Sequence, residues 1–215
     1  MTGDGQRLAY TIASTLLCYP DERVRGRLPD VVAALPQVPL PACRDPLADV
    51  AAWLGRQPPG AAERHHVEVF DLTRRCSPYL TYYRYGDTRQ RGMALLALKH
   101  TYRRAGVEPA GPELPDYLPV VLEFAALTGD PGVRLLDGNR AALQLMRLAL
   151  HDLASPYAAV LDAVDATLPA LSARQQEDVR RLAAEGPPKE DVGLDPVGSQ
   201  PFAPPELLGM PGTRP

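Results

Sequence analysis

Leu8, Ile12, Leu16 and Tyr19 recur at helical spacing and Pro20 blocks the following turn, which predicts a first helix. Asp45-Pro46 opens a second, with Asp45 as N-cap and Pro46 at the first helical position. Val50, Trp53 and Leu54 share its inner face, and Pro58-Pro59 ends it. A third runs from Ala61 to Arg75 with Val67, Phe70 and Arg74 on one side. Asp87 or Thr88 caps a longer helix in which Met93, Leu96, Leu98 and Tyr102 alternate with arginines, and Gly106 follows as a left-handed terminator. Asp116 is the expected cap of the next, with Pro119 in its first turn and Leu118, Val121, Leu122 and Ala125 on its face. After Gly138, a stripe of Ala142, Leu145, Met146, Ala149 and Leu153 marks another helix. Ser155-Pro156 then starts one carrying Val160, Val164, Leu168 and Leu171. Ser172 with Gln175 reads as a capping box for the last helix, which Gly186 closes. No segment has the β-branched alternation of a strand. The sequence therefore predicts an all-α fold, a single helical bundle domain of about eight helices over residues 1–186.

Beyond Gly186 the pattern stops. Eight prolines fall within 187–215 and no helical stripe survives, so that stretch is expected to be a disordered Pro-rich tail that cannot offset its ordering entropy. Elsewhere, 45% hydrophobic and 23% charged residues fit a folded chain, and the 24 prolines divide it into short elements. A net charge of -3 gives no general drive toward nucleic acid. The apolar run Leu118–Leu127 is half the length of a membrane-spanning helix and contains Glu123. Near the N-terminus, Asp4 offsets Arg7 and polar residues interrupt the apolar run, unlike a signal peptide. A cytoplasmic protein without direct membrane insertion is expected.

The residues that could carry chemistry do not converge. Cys18, Cys43 and Cys76 form no CxxC pair, and the adjacent His65 and His66 point about 100° apart on a helix, which suits no common zinc spacing. There is no GxSxG, P-loop or GxGxxG. The expectation is no enzyme, no cofactor and no metal.

Two features speak for binding instead. Tyr79 to Arg91 reads Y-L-T-Y-Y-R-Y-G-D-T-R-Q-R, and tyrosine with arginine suits protein hot spots, single-stranded nucleic acid or wedging between helices. Charge is also partitioned: Arg84 to Arg104 holds six basic residues and one acid, whereas Ala105 to Val133 holds five acids and no Lys or Arg. These charges either pair at a rim between neighbouring helices or make the acidic stretch part of a groove for a basic amphipathic peptide.

Phe70-Asp71-Leu72-Thr73, then S-P-Y-L-T-Y-Y-R-Y-G-D-T-R-Q-R from Ser77, A-L-L-A-L-K-H-T-Y-R-R-A-G up to Gly106, and E-L-P-D-Y-L-P from Glu113 closely resemble the NarJ-type nitrate reductase assembly chaperones of the TorD family. The resemblance implies an all-helical, non-enzymatic chaperone. Its implied partner is the N-terminal leader of the apo catalytic subunit of a respiratory nitrate reductase, held open to molybdenum cofactor insertion. Two departures stand out: Leu114 and Tyr117 replace the Pro and His of the family's acidic E-P-x-D-H pattern, and Pro78 interrupts its usual S-L-Y-L. No role is carried over for that histidine. Glu113, Asp116 and Tyr117 are expected to border one leader groove with Tyr79, Tyr82 and Tyr83, and Phe70 and Arg89 complete the candidate set. The other classes that share these features are an unrelated helical scaffold and a single-stranded RNA binder, although the charge balance argues against nucleic acid.

Overall fold

The computed structural model describes residues 3–108, 111–186 and 188. Among them every regular element is helical. In chain order these are α1 (Gly3–Leu17), α2 (Glu22–Gly26), α3 (Leu28–Ala34), α4 (Pro41–Arg56), α5 (Ala61–His66), α6 (Tyr82–Tyr85), α7 (Arg89–Arg104), α8 (Leu118–Thr128), α9 (Asp130–Gly138), α10 (Arg140–Asp152), α11 (Ala158–Ala166) and α12 (Ala173–Glu185). The all-α class is as expected. The four additional helices are α2, α3, α6 and α9. The expectation for 187–215 falls, apart from Pro188, outside the described residues.

The core lies around α1, whose Ile12, Leu16 and Leu17 pack chiefly against α8, with α4 and α11 closing the other side. Leu47, Val50 and Leu54 of α4 meet α11, which supplies Val160, Leu161 and Val164. α10 joins α11 to α12.

Local chemistry accounts for the departures in element limits. The α4 helix starts at Pro41, so Asp45 caps nothing and Pro46 sits inside the helix. Asp130-Pro131-Gly132 looks like a turn, yet proline in a first turn starts a helix. Gly132 lets α9 touch α8: a Cβ there would stand 2.2 Å from the Ala125 Cα. The stretch after His66 leaves α-geometry for a π-turn over Val67–Asp71, where the Leu72 N–H donates to the Val67 carbonyl at 3.0 Å. That extra residue breaks the single stripe expected for Val67, Phe70 and Arg74. Phe70 turns into the core and Arg74, in the following 3-10 turn, becomes exposed. The capping box of Ser172 and Gln175 forms as read.

Candidate functional site

Two sequence-distant segments are tied together ahead of α6 and α8. The Leu80 N–H donates to the Asp116 carbonyl at 3.0 Å and the Leu118 N–H to the Pro78 carbonyl at 2.8 Å, making an antiparallel bridge between Tyr79 and Tyr117. Pro78 fits because the bridge uses its carbonyl. The Tyr79 and Tyr117 rings lie 5.5 Å apart, and the Arg91 guanidinium stands 5.5 Å from the Tyr79 ring. Burial raises the pKa of both phenols.

Asp116 is the polar centre of this junction and has no solvent exposure. It does not cap α8, which has no side-chain cap. Its Oδ2 accepts from the Thr81 hydroxyl and, at 3.2 Å, from the Thr81 N–H, with Arg91 Nη2 3.6 Å away. Thr81 leads directly into α6, so this carboxylate fixes the start of the tyrosine-rich turn. Tyr102 adds a bond from its hydroxyl to the Pro115 carbonyl at 2.6 Å.

The other side of α6 opens on a groove. Tyr83 is buried, with its hydroxyl within 2.9 Å of the Arg75 carbonyl and 3.0 Å of that of Ser77, and burial pushes its pKa well up. Arg84 reaches Asp178 of α12 at 3.7 Å. Between α6, α10 and α12 lies a mostly apolar concavity of about 800 Å³, lined by Tyr82, Leu145, Leu148, Leu182 and Ala183, with Arg74, Arg75, Asp87 and Asp152 on its edge. Leu148 is 50% exposed there, and Arg75 pairs with Asp152 at 3.0 Å. A second concavity, about 330 Å³ by Arg7 and Thr128, is more polar than apolar.

The expected single groove is thus divided between two faces. Tyr82 and Tyr83 line the concavity, whereas Tyr79, Asp116 and Tyr117 form the junction behind α6, with Glu113 exposed beside it. Arg89 is exposed at the start of α7. Phe70 is a core residue, 4.7 Å from the His66 ring and 5.1 Å from that of Tyr157. Leu145, Leu148, Leu182, Arg74 and Arg75 were not among the candidate residues. The available signal was Leu148, an apolar residue off the α10 stripe. Met93 and Leu96, expected on the stripe of α7, are exposed, and only Leu98 and Tyr102 of that helix are buried.

The remaining reactive groups are poorly placed for chemistry. Burial raises the thiols of Cys18, Cys43 and Cys76 to about 11, so they stay protonated near neutral pH. Burial lowers the pKa of His66, whose Nε2 lies 3.2 Å from the Leu17 carbonyl, and that of His65, whose Nε2 lies 2.9 Å from Ser155 Oγ. Among the described residues no three His, Cys, Asp or Glu side chains gather as a metal site, and no helix is long and apolar enough to cross a membrane.

The described residues thus form a helical bundle with a bonded junction behind one short helix and an apolar groove in front of it. Its residues 39–163, from the start of α4 into α11, match the family described as nitrate reductase delta subunit, and the chain belongs to that family. It is 38% identical over 126 residues to the probable nitrate reductase molybdenum cofactor assembly chaperone NarJ of Bacillus subtilis, covering 59% of this chain and 68% of that one. It is 30% identical over 159 residues to the corresponding NarJ of Escherichia coli K12, covering 72% and 67%. It is also 42% identical over 165 residues to the nitrate reductase-like protein NarX of Mycobacterium tuberculosis, covering 76% of this chain but 24% of NarX.

Proposed function

We propose that this chain is a system-specific chaperone that binds the N-terminal leader of the apo catalytic subunit of respiratory nitrate reductase in the cytoplasm and holds it competent for molybdenum cofactor insertion. The observation that carries the reading is the apolar groove between α6, α10 and α12 in a member of this family. A leader helix would lay its apolar face on Tyr82, Leu145 and Leu148, and the mixed charges of Arg74, Arg75, Asp87 and Asp152 would set its direction. The junction residues Tyr79, Asp116 and Tyr117 act one step back, by holding α6 against the groove. Binding of this kind needs no catalytic group; its product is an altered state of the partner.

Deletion of the gene tests the biological claim. The catalytic subunit should still be synthesised, but with little molybdenum and little nitrate-reducing activity. Normal molybdenum content and activity in the deletion strain, with no second chaperone expressed, would contradict it.

A further inference from the structure

The exposure of α7 divides by heptad register. Arg89, Met93, Leu96, His100 and Arg103 follow one another at intervals of four, three, four and three residues, and all of them are exposed. Gln90, Gly92, Ala97, Lys99 and Arg104, which flank that line on either side, are exposed too. The opposite face turns inward: Leu98 and Tyr102 are buried, and Arg91, Ala94, Leu95 and Thr101 are partly buried. The Tyr102 ring stands 4.4 Å from that of Phe124 and fixes this inner face on α8. A line of that period with its flanks is the seam that one helix presents to another. Among the described residues nothing covers it, and Met93 is 69% and Leu96 52% exposed.

The two ends of the seam differ. Gly92, Met93, Leu96 and Ala97 make the first half apolar, and a Cβ at Gly92 would meet nothing within 4 Å, so a partner backbone has room to approach. Lys99, His100, Arg103 and Arg104 make the second half basic, and no Asp or Glu occurs from Arg89 to Arg104. The acids near α7 in sequence are mostly engaged elsewhere. Asp87 pairs with Arg91 at 3.3 Å, Asp116 is buried on Thr81, and Glu113 acts on Tyr79 at the junction. Glu108 does reach the seam, 3.5 Å from Arg103. Lys99, His100 and Arg104 make no ion pair among the described residues.

These features select the occupant. A membrane surface takes a broad apolar face rich in Trp, Phe or Leu, whereas here two large apolar side chains stand in single file. A second α7 would set basic residues against basic residues, with no acid on either side. We propose that this face is the docking seam for an acidic amphipathic helix of a partner protein. Its apolar residues lie on Met93 and Leu96, and its Asp or Glu side chains lie against Lys99, Arg103 and Arg104. No residue of α7 lines the groove between α6, α10 and α12, so the proposal stands apart from the leader reading.

Two synthetic peptides of about three heptads, with Leu along the seam and either Glu or Lys on its flanks, serve as probes against the full chain. In fluorescence anisotropy at about 0.15 M salt, wild type should bind the Glu-flanked peptide at least about tenfold more tightly than the Lys-flanked one. Met93→Gln with Leu96→Gln should weaken the Glu-flanked peptide about tenfold, and Lys99→Glu with Arg104→Glu should reverse the preference. Both variants should keep the wild-type Tm, because all four side chains are exposed. Equal affinity for the two peptides, or binding that neither variant alters, would overturn the proposal. Sedimentation with phosphatidylglycerol vesicles that Met93→Gln with Leu96→Gln abolishes, in a chain that ignores both peptides, would give the face to a membrane and overturn it as well. In cells, benzoylphenylalanine in place of Met93 should cross-link to a partner segment with Asp or Glu at heptad flanks. A cross-linked segment rich in Lys and Arg, or no cross-link, would contradict the proposal.

Discussion

The body built on α1, α4, α8, α10 and α11 and the pair α6 and α12 set against it are held by different forces. In the first, Leu16, Leu47, Leu54, Leu118, Leu122 and Val160 are wholly buried, and stability comes from apolar area and close packing. In the second, α12 buries Leu182 alone, and the short helix α6 is held by polar atoms: Asp116 on Thr81, the Tyr83 hydroxyl at two carbonyls, Arg84 near Asp178. Polar fastening fixes a backbone without consuming apolar side chains. That leaves Tyr82 and Leu148 at the surface for something else to cover.

Substitutions should separate the two regions, and the largest effect is expected at the fastening itself. Asp116→Ala leaves the buried Thr81 N–H and hydroxyl without their acceptor, while Arg91 keeps Asp87, and should cost about 3 kcal/mol in chemical denaturation. Asp116→Asn keeps an acceptor for Thr81 and should recover about half of that. A Tm unchanged in both would show that the junction does not hold α6. Because the carboxylate is buried, its loss should act on leader binding through α6, and added salt should do little to the wild-type affinity.

In the apolar body, Gly132→Ala should destabilise by about 2 kcal/mol, since the new methyl meets the α8 backbone and not a movable side chain. Leader affinity of the folded fraction should be unaltered. A variant as stable as wild type would mean that α9 can move off α8 without loss.

A smaller effect is expected from pH. His66 is held below its ordinary 6.5 by burial among Tyr19, Phe70 and Tyr157, opposed by its contact with the Leu17 carbonyl and by the charge of Asp71; neighbouring His65 is lowered too. The unfolded chain takes up the proton first. Stability should therefore be complete above about pH 6.5 and decline as pH falls below it. Thermal melts of wild type and His66→Gln should show a smaller acid loss in the variant; equal losses would place the titrating group elsewhere.

Much of the fold was legible because its signals are local. Apolar spacing located α1, α4, α7, α8, α10 and α11, and Ser172 with Gln175 marked the start of α12. What escaped depended on distant partners. Asp116 has the right residue type for a cap, but Thr81, 35 residues earlier, claims its side chain. The α9 helix hid behind Asp-Pro-Gly because the use of Gly132 is set by Ala125 across a helix crossing. The π-turn at Val67–Asp71 carries no periodic signature, and it alone decides that Phe70 is core and Arg74 is groove edge. For the candidate site, the tyrosine-rich segment was found from composition. Its division between a junction and a groove could be read only once α10 and α12 were in place.

Leader binding to Leu148→Asp tests the central claim most directly. Leu148 is half exposed and lies outside the buried core cluster, so the substitution should change stability by less than about 0.5 kcal/mol. Measured by titration with a synthetic leader peptide alongside a melt of the same sample, the variant should bind at least about tenfold more weakly at an unchanged Tm, because a charge then sits where the leader's apolar face must lie. Wild-type affinity in a variant of wild-type stability would show that the leader does not use this groove.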